Sequence, residues 1–350
     1  MKKLVLLTLV FLLACSCLSG CGSSEKEEAK ELVIYTWEEY LPEEVLARFE
    51  EETGIHIIYT NFETNEEMLA KLENAKGGDY DLVLASDYII KIAADQDLVQ
   101  ELDLSKIPNY KNIDPIYQGF FYDPENNLTV PYAPGIPLIV YDPSRVDIEI
   151  TGYADLWDPS LKDSVGLMDT ERVIMGMALK VLGESFNTND LDKIQEAGDL
   201  LLELAPNVRI LNQDQTHDYL LSGEISAAFL FTNQVAEAVA ANPDLKVVYP
   251  KEGLGFGVDA FFIPSAAPHP DAAHEFLNYI LDGEVGAEIS SWLMYMCPNK
   301  AAYPYLPEEF QASLMISEGD IPEGEFIMDV SEEATALHAE LYTAFKNAMR

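Results

Sequence analysis

From Glu31 onward, short runs of consecutive apolar residues alternate with stretches in which apolar side chains return every three or four positions. Leu32-Val33-Ile34-Tyr35 reads as a strand, and Pro42 to Thr53, with Val45, Leu46 and Phe49 apolar, as a helix that Gly54 stops. Ile55 to Tyr59 is the next strand and Glu66 to Asn74 the next helix. Asp81 to Leu84 is a third strand, entered from the Gly77-Gly78 turn. This alternation of strand and helix predicts a parallel, doubly wound sheet.

A proline-rich stretch from Val130 to Pro137 then interrupts the pattern ahead of the strand Leu138 to Tyr141, and reads as a crossover between lobes. A second series follows, with helices at Val173 to Leu182, Leu191 to Leu204 and Asp214 to Ser222, and strands at Ala227 to Phe231 and Val247 to Tyr249. Gly253 to Gly257 reads as a second crossover into the strand Asp259 to Ile263, with a helix from Pro270 to Leu281 beyond it. The chain has 350 residues, 48% of them hydrophobic, enough to bury two cores. No Gly-x-Gly-x-x-Gly follows the first strand and no phosphate-loop pattern occurs, so a nucleotide cofactor has no cradle in the sequence.

The N-terminus adds an address. Lys2 and Lys3 precede an apolar run from Leu4 to Ala14, which is a secretory signal rather than a span, because a transmembrane helix needs about 20 apolar residues. Leu18-Ser19-Gly20-Cys21 resembles the bacterial lipobox, in which cleavage precedes a cysteine whose sulfur carries a lipid. That reading makes Cys21 the lipidation site, residues 1–20 the leader and residues 21–30 a flexible tether. The expected location is the extracytoplasmic face of the cell membrane, with contact to the bilayer through the lipid alone.

Charge and cysteine content narrow the function further. The sequence carries 21 Lys and Arg against 61 Asp and Glu, a net charge of −40, or −42 once Lys2 and Lys3 leave with the leader. Nucleic acid and anionic membrane surfaces are repelled by such a chain. Cys15 and Cys17 leave with the leader and Cys21 is acylated, so Cys297 is left as a single thiol, with no disulfide possible within the mature chain. Its neighbours Met294, Tyr295, Met296 and Pro298 predict a packed, inert thiol. The five histidines show no metal-ligand spacing, and no metal or cofactor is expected.

At Tyr35-Thr36-Trp37-Glu38-Glu39-Tyr40 the sequence becomes specific. This strand end, the helix ending at Thr53-Gly54-Ile55, and then Asn65-Glu66-Glu67-Met68, Ser86-Asp87-Tyr88, Asp155-Leu156-Trp157, Tyr249-Pro250-Lys251-Glu252-Gly253 and Pro298-Asn299 occur in the order of one family. The chain resembles the spermidine/putrescine-binding proteins of ABC importers over essentially all of its mature length. That resemblance implies a two-lobed periplasmic-binding-protein fold of the α/β class, each lobe a sheet flanked by helices, with crossover strands between lobes. The corresponding division is residues 31–135 plus 258–310 for lobe 1 and 136–257 plus 311–350 for lobe 2. It further implies a monomer, the importer's permease subunits as partners, and no enzymatic activity.

A polyamine needs aromatic faces for its methylene chain and carboxylates for its ammonium groups. The resemblance carries Trp37 and Tyr40 over as walls, Glu39 as an ammonium acceptor, Ser86 and Tyr88 as polar contacts, Asp259 as the acidic residue for an amine, and Tyr295 as an aromatic of the same lobe. In the second lobe the pattern departs. Around Asp169-Thr170-Glu171-Arg172-Val173 the carboxylates are displaced, so that Thr170 and Val173 stand at the matching sites and Glu171 is the nearest acidic candidate. Phe231 replaces one tryptophan, Gly257 another, and Ile327 a polar residue. The reading is a polyamine-binding lipoprotein; a receptor for another small organic solute, such as an amino-acid derivative, and a non-transport receptor stand as alternatives. Paired carboxylates also serve glycoside hydrolysis, but only the abundance of Asp and Glu points that way.

Overall fold

The structure, a computed structural model, describes residues 30–213, 215–307 and 324–349. The leader, Cys21 and all of the tether but Lys30 lie outside the described residues, as does Asp214, where one expected helix begins. The chain opens with β1 (Glu31–Thr36), α1 (Glu43–Thr53), β2 (His56–Asn61), α2 (Asn65–Asn74), β3 (Leu82–Ser86) and α3 (Asp87–Asp95). Glu43 and Glu44 complement the dipole at the start of α1, and Val45 and Phe49, one turn apart, are buried under it. Gly54 ends the helix in the left-handed region at φ 70°, its N–H bonded to Glu50 at 2.9 Å. The Thr64 side chain caps α2 through the N–H of Glu67.

The expected alternation holds here, with β1 parallel to both β2 and β3. The sheet as a whole is nevertheless mixed, not parallel. Its other half consists of strands that pass between lobes: β4 (Thr129–Gly135) leaves for the second lobe and β10 (Leu254–Phe262) returns, so the two run antiparallel, as do β10 and β3. The proline-rich crossover is therefore itself a strand. Pro131 and Pro134 are tolerated because β4 pairs on one side only, with β10, through a bulge near Asp259.

The second lobe contains β5 (Leu138–Tyr141), β6 (Val165–Leu167), α4 (Glu171–Val181), α5 (Leu191–Leu204), β7 (Val208–Leu211), α6 (Thr216–Leu221), β8 (Ala227–Leu230), α7 (Thr232–Ala241) and β9 (Lys246–Val248). Its sheet is also mixed, in the order β7-β6-β8-β5-β9. Beyond β10 come α8 (Pro270–Ile280) and α9 (Gly283–Leu293), which cover the first sheet. After them, β11 (Gly324–Phe326) lies parallel to β10 as an edge of the first sheet, and α10 (Glu332–Ala348) packs on the second lobe beside α5 and α4. A Cβ at Gly198 would lie 2.7 Å from Leu341, so a glycine in α5 allows that close helix approach. The chain thus passes the hinge three times.

Asp123 fixes where the first crossing strand begins. Its buried carboxylate accepts from the N–H groups of Asn127, Leu128 and Thr129 and from the Thr129 hydroxyl, at 2.8–3.1 Å. Replacing Asp123 with alanine is expected to lower unfolding stability by about 3 kcal/mol, because several buried donors lose their acceptor together. Urea unfolding measures this, and a change below about 1 kcal/mol contradicts the assignment.

Candidate functional site

The ends of β1 and β3 and the middle of β10 meet at one cleft, where open α/β sheets present their strand ends to ligands. Tyr59 donates to the carbonyl of Trp37 at 2.9 Å and Tyr132 to that of Tyr40 at 2.8 Å, so two tyrosines of the sheet hold the segment after β1 in place. Within that segment Glu39 takes φ 51°, a left-handed turn uncommon for a residue with a side chain. It stands exposed at the tip, while Trp37 and Tyr40 pack edge to face with ring centroids 5.3 Å apart.

The register of β10 on β3 places Asp259 opposite Ser86. Tyr40 donates its hydroxyl proton to Asp259 Oδ2 at 2.6 Å, joining residues 219 positions apart. Burial raises the Asp259 carboxyl above its ordinary range, and hydrogen bonds from Tyr40 and Ser86 oppose that shift. Burial and the neighbouring carboxylate push Tyr40 well above the usual phenol range, which keeps it a donor. Tyr295 completes this side. The left-handed Met294, at φ 58°, ends α9 and turns the chain back, so that the Tyr295 ring lies 6.4 Å from that of Tyr40. It also lies so near Gly135 that a Cβ there would come within 3.0 Å of ring carbon Cε1.

Asn65 was not among the expected site residues, yet it organises the polar edge. Its amide nitrogen donates to Ser86 Oγ at 3.2 Å and to the Tyr88 hydroxyl at 3.0 Å, and Tyr88 donates in turn to Glu66 Oε1 at 3.0 Å. The Asn65-Glu66-Glu67-Met68 match marked the segment; that its first residue reaches across to β3 depends on the parallel packing of α2. Asp87 was also missed. It is buried, accepts from the N–H groups of Tyr88 and Val258 at 2.7 and 3.0 Å, and burial pushes its carboxyl up to about 8.

Across the cleft the second lobe contributes less charge. Glu171 opens α4, half-buried, its carboxyl raised by burial and lowered by Arg172. The guanidinium itself is engaged, donating to the carbonyls of Phe186 and Met328 and bonded to His338. Thr170 bonds to Gln213, Val173 is buried, and Phe231 packs on the second core. Phe231 directly precedes Thr232, whose hydroxyl exchanges hydrogen bonds with both backbone groups of Ile136 in the first crossing. Cys297 is buried, its thiol pushed up by burial. Among the described residues no group of three or more His, Cys, Asp or Glu is placed to hold a metal ion, and no helix is long and apolar enough to cross a membrane.

Comparison with known proteins agrees with this architecture. The family model of bacterial extracellular solute-binding proteins matches residues 44–315. The chain belongs to that family. A spermidine/putrescine-binding periplasmic protein of Salmonella typhimurium is 36% identical over 93% of this chain and 94% of its own length. A putrescine-binding periplasmic protein of Escherichia coli is 33% identical over 81% of each. Among solved structures, a substrate-binding protein of a spermidine/putrescine ABC transporter from Streptococcus pneumoniae superposes with a TM-score of 0.78 at 31% identity, covering 92% of this chain and 100% of that one. A putative spermidine/putrescine ABC transporter protein from Listeria monocytogenes gives 0.80 at 32%, covering 91% and 99%. The two mixed sheets flanked by helices are thus those of two-lobed binding proteins.

The raised carboxyl of Asp87 has a pH signature. An unfolded aspartate ionises near 4, so between about 4 and 8 the folded protein holds a proton there that the unfolded chain releases. This contribution favours the fold most at low pH and is lost as pH rises to 8. The melting temperature of the ligand-free protein, relative to that of Asp87→Asn, is expected to fall from pH 5 to pH 8; parallel profiles would remove the shift.

Proposed function

We propose that this protein is a lipid-anchored receptor on the extracytoplasmic face of the cell membrane that captures a polyamine and presents it to the permease subunits of an ABC importer. The hydrogen-bonded Tyr40–Asp259 pair, set between Trp37 and Tyr295 at the hinge, carries the reading. It combines a carboxylate for an ammonium group with aromatic faces for that group and the methylenes beside it. Glu39 supplies a second, exposed carboxylate at the cleft mouth, and Glu171 is the acidic group on the opposite side. Ser86 and Tyr88 set the polar edge, and Phe231 walls the second lobe.

The lobes, divided as residues 31–135 with 258–310 and 136–257 with 311–350, close on the ligand. Closure removes water from the ammonium contacts and gives the importer a shape distinct from the open form. The protein works as a monomer, performs no chemistry on its ligand, needs no cofactor and binds no nucleic acid. Cys21 holds it to the membrane through its lipid. The relatives named for spermidine and putrescine support the ligand class. The apolar second lobe, with Val173, Phe231 and Ile327, favours as the second reading a receptor for another small organic solute, such as an amino-acid derivative.

Calorimetry on the mature chain with putrescine, spermidine, amino acids and sugars tests this. Polyamine binding is expected, and Asp259→Asn is expected to weaken it about 30-fold or more, since a desolvated ammonium loses its acceptor. Binding of an amino acid with no response to polyamines selects the second reading. Separately, Cys21→Ser is expected to abolish membrane attachment in cell fractionation; a variant that remains anchored contradicts the lipid assignment.

A further inference from the structure

Three segments pass between the lobes: the end of β4, the start of β10, and residues 326–331 between β11 and α10. Along the first two, the point at which the chain changes lobe falls on a glycine. Ile136 is fixed to the second lobe, since both of its backbone groups are bonded to the Thr232 hydroxyl, at 2.7 and 3.0 Å, whereas Pro134 pairs with Val258. Gly135 lies between them. On β10, Val258 is fixed to the first lobe through its N–H, which Asp87 accepts at 3.0 Å, whereas Phe256 pairs with Phe326 of β11. Gly257 lies between those two, and it is the register partner of Gly135. Strand β10 thus has two halves, with residues 254–256 paired to β11 and residues 257–262 to β4.

The third segment is held differently on its two sides. Asn187, in the turn between α4 and α5, donates from its side-chain amide to the carbonyl of Phe326 at 2.7 Å and accepts from the N–H of Met328 at 2.7 Å, as a neighbouring strand would. Asn189 accepts from the N–H of Ser331 at 2.6 Å. Arg172 donates to the Met328 carbonyl at 2.8 Å, and the Glu325 carboxylate takes the N–H of Phe186 at 3.0 Å and an ion pair with Lys180. A Cβ at Gly255 would lie 2.7 Å from the Phe186 ring, so the second lobe also touches the first half of β10. The first lobe meets Phe326 through rings, with centroids 4.5 Å away at Phe120 and 5.5 Å away at Phe121. Hydrogen bonds fix direction, whereas apolar contact is non-directional and tolerates sliding. A cavity of about 130 Å³, walled by Phe120, Phe326 and both glycines, leaves room for such a shift.

We propose that residues 185–189 form a clasp that carries the third crossing, and with it residues 254–256 of β10, along with the second lobe, so that closure bends the chain at the Gly135–Gly257 pair. Glycine offers the least steric resistance to backbone rotation, which suits a joint. Asn187 is then a positioning residue: it acts through the crossing, not on the ligand, and keeps that crossing from becoming a second joint. This clasp deepens the reading of polyamine capture by lobe closure and rests on it.

Residual dipolar couplings on the full mature chain, residues 21–350, give the orientation of backbone amides with and without putrescine. On adding putrescine, the amides of residues 325–328 are expected to keep their orientation to α4 and α5 while turning relative to α1 and α8. Amides that instead stay with α1 and α8 and turn relative to α4 and α5 overturn the clasp. In Asn187→Ala, hydrogen exchange at the Met328 amide is expected to quicken at least about tenfold. An unchanged rate overturns the clasp as well, and should the variant fold poorly the wild-type couplings decide alone. If putrescine moves neither lobe, polyamine capture by closure fails, and the Met328 exchange rate alone upholds or overturns the clasp.

Discussion

Backbone hydrogen bonds between β10 and β3 hold Asp259 opposite Ser86, and this register decides which side chains meet in the cleft. A slip of one residue would turn every side chain of β10 to the other face. The register is defended by burial on both sides of the sheet: Val258, Ala260 and Phe262 pack among Tyr35, Val83 and Ala85, and Phe261 and Ile263 pack against α8 and α1. Asp259 sits where the buried run gives way to the hinge. The same apolar alternation that keeps β10 in the sheet therefore keeps a carboxylate at the point where the lobes meet.

That placement carries an electrostatic cost, and the cost suits capture. Asp87 and Asp259 lie on neighbouring elements with raised carboxyl pKa values, each pushed chiefly by burial. Hydrogen bonds from Tyr40, Ser86 and backbone N–H groups offset part of the penalty without supplying a positive charge. A cation entering such a site meets the Asp259 carboxylate already in place, while Asp87 keeps its proton below about pH 8. The first lobe holds most of this charge; the second answers with Phe231, Val173 and the engaged Arg172.

Most of the first lobe was legible in the sequence, because parallel strands read as apolar runs and α1 is bounded by Glu43 and Gly54. The crossings were placed correctly but read as irregular chain. Prolines argue against a strand until it is known that β4 pairs on one side only. Helix α7 follows β8 after the single residue Phe231, so its alanine-rich run was not separated from the strand before it, and the return of β11 to the first sheet had no local signal. Of the expected site residues, Trp37, Tyr40, Ser86, Asp259 and Tyr295 are brought together by the fold. Asn65 and Asp87 lay inside matched motifs, but their roles were not legible there, because they come from contacts across the sheet and not from spacing.

The most direct measurement is a crystal structure of the mature protein with putrescine. The account predicts closed lobes, with one ammonium nitrogen within hydrogen-bond distance of the Asp259 carboxylate and the methylene chain against Trp37 or Tyr295. Electron density for putrescine away from the hinge, or a ligand that leaves Asp259 bonded to Tyr40 alone, would contradict it.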